Sequence, residues 1–395
     1  MLETLNAVPW SELGHAYGEA SDVPDLIRGL ASPEQEVYQR ALGQLWSSVI
    51  HQGTVYSSTA YVVPFFCELL EAPDVQNKTG LLTYLATIAH GASYCDVHER
   101  NPERRNTVQM QQQIAEELSW VEAASEAVSD GYGTYLRLLQ SSDPHLRASA
   151  AHTLSCCQSH AAAVVPEMKR RFAGETAPLV AASLLLSLGL LQEQEETTLF
   201  FTHVLQETHD PLLQVAAAVG SAAALHEQTS QQALKVLIDS FELPPDIKAR
   251  FSELPFADVD LDAFLSLALR CIGLSIAPVA MPPLLRAVRR SNAEDGLTLV
   301  PTLLSFALGE QKITRTMTVA DLTDLQRDAL NAVYETEGLW KLGNMYFTVG
   351  SFFDPIFLDS DYSIWDRKQL GAFLAGQTVF RNESRARREA RGDME

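Results

Sequence analysis

Between residues 141 and 241, apolar and small side chains recur in blocks that each follow the same short polar signal. Asp143-Pro144-His145-Leu146-Arg147-Ala148-Ser149-Ala150-Ala151 opens the first block. Thr176-Ala177-Pro178-Leu179-Val180-Ala181-Ala182-Ser183 opens the second, and Asp210-Pro211-Leu212-Leu213-Gln214-Val215-Ala216-Ala217 the third. Leu146, Leu179 and Leu213 recur at near-equal intervals. A polar cap, a Pro in the first turn and an Ala-rich run predict a helix start at each position. Second helices are expected over 161–172, 195–206 and 230–241. Self-similarity at this period marks a stacked array of helix pairs, whose units cannot bury their apolar faces alone. The small side chains of the first helices let neighbours approach closely.

The same signals extend in both directions. Residues 1–23 read as a lead-in with a short helix, and Asp22-Val23-Pro24-Asp25 starts a helix running through Leu30. Ser32-Pro33-Glu34 starts one over 34–50. That helix carries two apolar rows, Val37, Ala41, Leu45 and Ser48, then Leu42, Trp46 and Val49, so it is covered on two sides. His51-Gln52-Gly53 ends it. A helix over 59–70 follows, and Ala72-Pro73-Asp74 restarts the pattern with Leu81, Leu82, Leu85 and Ile88 as its core row. The step from Pro33 to Pro73 is a longer version of the same unit. Residues 91–106 are polar and read as an insertion loop. A long helix spans 107–128, with Met110, Ile114, Leu118, Val121, Ser125 and Val128 on one face and Trp120 at its edge. Gly131 and Gly133 end it.

Beyond the three clear repeats, Pro244, Pro245 and Pro255 break the pattern and predict a connection over 243–257. Helix pairs are expected at 261–274 with 281–290 and at 296–308 with 322–334. Residues 334–380 hold 11 of the 32 aromatics in the chain. They predict a cap that closes the end of the array, or a ligand-contact surface. The domain reading is thus HEAT-like pairs over 1–242, further pairs over 243–334, an aromatic-rich C-terminal cap over 335–380, and a mixed-charge tail over 381–395 that frays.

Composition narrows the function. The chain has 50 Asp and Glu against 29 Lys and Arg, a net charge of −21. Such an excess repels nucleic-acid backbones and anionic membrane surfaces, and suits a basic protein partner or plain solubility. Cys67, Cys95, Cys156, Cys157 and Cys271 are odd in number and lack CxxC spacing. They read as reduced thiols in the cytoplasm, with Cys156 and Cys157 inside a helix. The first ten residues carry no targeting signal.

The repeated units resemble HEAT repeats over residues 32–241, in the variant of the bacterial HEAT-like proteins that include the phycobilisome lyases. A narrower resemblance rests on Trp46-Ser47-Ser48-Val49-Ile50-His51-Gln52-Gly53-Thr54-Val55-Tyr56 and Val63-Pro64-Phe65. It also rests on Glu117-Leu118-Ser119-Trp120-Val121, Glu126-Ala127-Val128, Leu325-Gln326-Arg327, Leu339-Trp340 and Gly343-Asn344. These stretches are similar to a group of bacterial HEAT-repeat proteins that offers no activity to transfer. The resemblance implies an all-α, right-handed α-solenoid acting through protein contacts, among candidate immunity and adaptor proteins.

Catalytic and metal motifs are weak. The di-iron hydroxylases of HEAT-like architecture need four His-Glu pairs on facing helices. This chain has His98-Glu99, placed in the loop, and His226-Glu227, several repeats further on. His90, Cys95 and His98 have loose spacing for zinc. No nucleophile elbow, Walker motif or dinucleotide fingerprint occurs. Lys169-Arg170-Arg171 and Arg286, Arg289 and Arg290 sit where they complement helix C-termini. The reading is therefore no catalytic residue, no cofactor and no metal, with a protein-binding groove along the second helices. Its contact candidates are Trp46, His51, Gln52 and Tyr56 near one end, then Trp120 beside the loop of Tyr94 and His98, since aromatics in grooves make strong anchors. The expected function is a non-catalytic scaffold or adaptor, in its specific form an immunity-like occupation of a basic protein. The alternatives are an enzyme or small-ligand binder on the same scaffold, and a self-assembling array.

Overall fold

Each of the three repeated starts opens a helix in the computed structural model of this chain, which describes residues 1–99, 102–191, 195–256, 259–341, 362–364, 366–378 and 380–381. The fold is all-α, with successive helices packed on one another and, among the described residues, only two-residue strands. Contacts divide it into two compact units, Met1–Glu193 with Leu254–Phe256, and Gln194–Glu253 with Ala257–Glu395. No single helix among the described residues is long and apolar enough to cross a membrane.

The first unit begins with two 3-10 turns and a hairpin, β1 (Gly14–His15) with β2 (Gly18–Glu19). Helices α1 (Val23–Gly29) and α2 (Gln35–Ser48) lead into a second hairpin, β3 (Ile50–His51) with β4 (Thr54–Val55). There follow α3 (Thr59–Glu71), α4 (Lys78–Ala89), α5 (Tyr94–His98), α6 (Pro102–Arg105), α7 (Val108–Asp130), α8 (Tyr132–Leu138), α9 (Pro144–Leu154), α10 (Ala161–Gly174) and α11 (Pro178–Leu191). The second unit holds α12 (Glu195–Glu207), α13 (Pro211–Leu225), α14 (Gln231–Ser240), α15 (Pro245–Phe251), α16 (Leu261–Ile272), α17 (Ala277–Arg290), α18 (Ala293–Leu308), α19 (Asp324–Glu335) and α20 (Arg367–Leu374). It also holds a hairpin of β5 (Tyr362–Ser363) with β6 (Phe380–Arg381).

Local chemistry explains the starts. The Asp143 and Asp210 carboxylates accept the N–H groups of His145 and Leu212, at 2.9 and 2.8 Å, with Pro144 and Pro211 at the first helical position. The middle repeat has Ala177 in place of that Asp. Glu175 takes over the cap there and accepts from the N–H groups of Thr176 and Ala177, both at 2.9 Å. Its buried carboxylate also receives Arg147 at 3.0 Å and Arg171 at 2.6 Å. Burial opposes the charge, but Arg147, the Ala177 N–H, Arg171 and the Thr176 N–H outweigh it and hold the carboxyl at about 2.

In the first unit α4, α9 and α11 form an inner row, and α9 and α11 are buried on nearly every side. Small residues bring them close enough for hydroxyls to reach across. The Thr153 hydroxyl donates to Leu82 O at 3.1 Å, and the Ser187 hydroxyl to Ala151 O at 2.7 Å. Thr153, Ser187 and Ser221 are evenly spaced along the chain, one to each repeat, and Ser221 is likewise buried in α13. The outer helices share another mark. Pro64, Pro166 and Pro282 are each the sixth residue of their helix, in α3, α10 and α17. A Pro there has no N–H for the carbonyl one turn back and bends the helix.

Several sequence expectations need correction. Residues 91–106 are not one loop but hold α5 and α6, helices too short to show a periodicity, so His98 ends a helix. Residues 243–257 contain α15, started by the Pro244-Pro245 step that reads as a break in the sequence. His51-Gln52-Gly53 is not a helix terminus; Gln52 (φ +51) and Gly53 (φ +81) form the two-residue turn of a hairpin. Cys156 and Cys157 lie just past α9, both buried. On α7 Leu118 is exposed, and Glu117 takes a core position in its stead. In the cap, Phe373 is buried, Arg367 lies over the Tyr334 ring at 5.2 Å, and the Trp340 indole donates to Val333 O at 3.0 Å. Gly343, Asn344, Tyr346, Phe347, Phe352, Phe353, Phe357, Trp365 and nearly all of the 381–395 tail lie outside the described residues.

The inner-row spacing makes a direct prediction. Ser187→Ala should cost about 1 kcal/mol through its lost hydrogen bond, and Ser187→Leu about 1–3 kcal/mol more by forcing the helices apart. Urea denaturation measures both. A Leu variant as stable as the Ala variant would show that α9 and α11 are not this close.

Candidate functional site

Glu117 is the residue around which one end of the first unit is built. It lies on α7, whose N-terminus is capped by the Thr107 hydroxyl accepting Met110 N–H at 3.2 Å. Its carboxylate meets the first turn of α5. It accepts from the Ser93 hydroxyl at 2.7 Å, the Cys95 N–H at 2.8 Å and the Gln113 amide at 3.3 Å. A carboxylate at a helix N-terminus is doubly favoured, by free N–H groups and by the dipole. Burial alone would raise the Glu117 pKa. The Cys95 N–H, Ser93 hydroxyl, Cys95 thiol and Gln113 amide reverse this and hold it below the usual carboxylate range. Burial and the Glu117 carboxylate push the Cys95 thiol up to about 11.

The segment leading into α5 is pinned against β4. Val55 N–H donates to Ala92 O at 3.0 Å and Ala92 N–H to Gly53 O at 2.8 Å, with Thr54 and Ala92 in parallel register. Gly91 permits this approach, because a Cβ there would fall 2.2 Å from Val55 Cγ2. The register sets Tyr56 alongside Tyr94, each two residues beyond the bridge. Tyr94 stacks on His98 at 4.5 Å, and His98 Nδ1 meets Tyr94 O at 2.9 Å. On the other side, His51 bonds Ser47 O through Nδ1 at 2.9 Å, and Tyr17 stands edge-on to it at 5.6 Å. Tyr17 also lies 6.3 Å from His15, which bonds Asp22 at 2.9 Å. Burial first, then Tyr17, Glu117 and Tyr94, push the Tyr56 phenol up. Two hairpins and α5 thus assemble a surface of Tyr17, His51, Tyr56, Tyr94 and His98, backed by an ionised carboxylate.

Of the six sequence candidates, His51, Tyr56 and His98 meet here. Gln52 is the turn residue beside His51. Trp46 is 40% exposed and stacks on buried Tyr84 at 4.7 Å. Trp120 is half-buried, one turn along α7 from Glu117. Sequence reasoning misses Tyr17, His15 and Glu117. Tyr17 comes from a lead-in without periodicity, and Glu117 hides among core positions.

The loose zinc set comes apart: Cys95 faces Glu117, His98 faces Tyr94, and His90 Nε2 lies 3.6 Å from Cys156 Sγ. Burial pushes the Cys156 thiol up to about 11 and pushes His90 down. The nearby His152 is buried against Phe256, ring centroids 4.2 Å apart, and burial holds it down at about 4. His226 bonds Cys271 O at 3.3 Å. Glu126, Asp130 and His160 bring three potential metal-ligand atoms within 4.8 Å of one another. They are largely exposed, His160 bonds Asp130 at 2.9 Å, and Tyr132 stacks on His160 at 4.4 Å. Two of the three arginines on α17 are paired, Arg286 with Glu242 at 2.9 Å and Arg290 with Asp262 at 2.7 Å.

No family model matches the chain, and no curated protein does. A solved crystal structure of an engineered protein is similar at 14% sequence identity, covering 80% of this chain and 89% of that one, with a TM-score of 0.25. So loose a superposition carries no argument about fold or function.

The Glu117 arrangement fixes a pH dependence. The folded carboxyl titrates below its unfolded value of about 4.3. Its contribution is therefore complete above that pH and is lost as pH falls through the depressed folded value. Glu117→Gln should destabilise the chain by about 1–3 kcal/mol at neutral pH, and by less at an acid pH below about 4.3, as the wild-type carboxyl loses its charge. Denaturation curves at the two pH values decide it, and a gap unchanged by acid would remove the charged cap.

Proposed function

We propose that the protein is a non-catalytic protein-binding scaffold or adaptor, built from HEAT-like helix pairs, that recognises a basic partner through the aromatic end of its first unit. One observation carries this reading. Among the residues whose side-chain exposure is described, every well-exposed aromatic, Tyr17, Trp46, Tyr61 and Tyr94, lies in the first hundred positions. Exposed aromatics on rigid supports are the usual anchors of protein interfaces. The charge around them supports a cationic partner: residues 106–136 contain five acids and no Lys or Arg, and Glu116, Glu122, Glu126 and Asp130 are exposed on α7. We place its action in the bacterial cytoplasm, in keeping with five unpaired cysteines. An immunity-like role, occupying a basic toxin, is the specific form of the proposal. A small-ligand reading is favoured by one separate feature, the arginine-lined cleft between α8 and α10.

A tagged full-length chain is the bait, washed at low and then at about 0.15 M salt. One stoichiometric basic protein, released as salt rises, is the expected catch. Tyr17→Ala with Tyr94→Ala should weaken that complex at least about tenfold. A partner-free monomer, or a partner indifferent to the double substitution, would sink this reading.

A further inference from the structure

In a chain of net charge −21, three guanidiniums gather around one cleft. Leu136 and Arg137 of α8, with Gln140 just beyond it, form one wall, and Glu167, Arg170 and Arg171 of α10 form the other. Its volume is about 430 Å³, within the range of about 300–1,000 Å³ typical of small-molecule sites. The arginines are not equally committed. Arg171 gives its Nε and one Nη to Glu175, at 3.1 and 2.6 Å, and Glu175 is itself fixed by Arg147 and two backbone N–H groups. Arg171 is therefore anchored in place. Arg137 pairs with Glu71, and Arg170 with Glu167 one turn back, in ion pairs open to water on both sides. Exposed pairs of this kind contribute little and exchange partners readily.

We propose that the α8–α10 cleft binds a small phosphorylated anion, held by Arg137 from one wall and by Arg170 and Arg171 from the other. The tetrahedral phosphate presents oxygens in several directions, so it can meet forks from two walls, whereas a carboxylate is satisfied in one plane by one guanidinium. The surrounding charge selects for size. Residues 1–193 carry 22 acids against 11 Lys and Arg, a field that repels an extended polyanion but is screened within about 8 Å of a small one at physiological salt. On binding, Arg170 turns from Glu167 and Arg137 from Glu71 to the ligand. Glu167 is thus an internal competitor for the site.

The test is calorimetric titration of the full chain with pyrophosphate, with citrate as the carboxylate control. Pyrophosphate should bind at one site, with a dissociation constant on the order of 1 mM or tighter, more weakly as salt rises. Arg137→Gln with Arg170→Gln should weaken it at least about tenfold. Glu167→Gln should tighten it by removing the competitor. Tyr17→Ala should leave it unchanged, which separates this site from the aromatic surface. Citrate binding as tightly as pyrophosphate, a double arginine variant that binds like wild type, or a Glu167→Gln variant that binds more weakly would each overturn the assignment. If the double variant fails to fold, the sign of the Glu167→Gln effect still decides.

Discussion

The inner helices can stand where they do only because their contacts are made by residues smaller than leucine. Ser187 reaches the carbonyl of Ala151, and Thr153 that of Leu82, over distances that no larger pair of facing side chains would allow. Helix axes settle at a separation set by the side chains between them, and here alanine, serine and threonine set it. The hydroxyls also bond within their own helices, Ser187 to Ser183 O and Thr153 to Ser149 O. Each therefore remains satisfied in the buried row. Two successive repeats use this device, at Thr153 and Ser187.

This is why the repeats are legible in the sequence and the site largely is not. Pro144, Pro178 and Pro211 with their caps act locally, so a sequence reading finds the helices they start to within a few residues. The shared Pro at the sixth residue of α3, α10 and α17 is equally local. The site depends on pairings across the fold. Two-residue strands have no periodicity, so the hairpin at Gln52-Gly53 reads as a helix end. His51, Tyr56 and His98 are legible as chemistry, but their meeting rests on the bridge between Thr54 and Ala92. Glu117 cannot be read at all, because an acid in a core row becomes sensible only when the N–H groups of α5 are in view. Trp46 has the spacing of a core residue, yet its ring lies on Tyr84 at the surface.

The first unit holds two opposite electrostatic regimes side by side along the chain. From Asn106 to Leu136 every charged side chain is acidic, whereas residues 137–171 hold five of the eleven bases of residues 1–193. Glu175 joins the two kinds of work: it caps α11, fixes Arg147 in the interior and steadies Arg171 at the cleft. One carboxylate thereby ties the repeat's architecture to the surface chemistry beside it.

The first unit is also discontinuous. Leu254–Phe256 belongs to it, and the Phe256 ring covers His152, a side chain whose Nδ1 is buried without a partner. On the ribosome, the continuous part of that unit is complete at Glu193, but its last piece emerges only after residues 194–253 have been made. At about 5–20 residues per second the interval is several seconds. Through it the His152 face waits uncovered, so the nascent first unit closes only after residues 194–253 of the second have been synthesised. The order of manufacture is written into the chain by three residues.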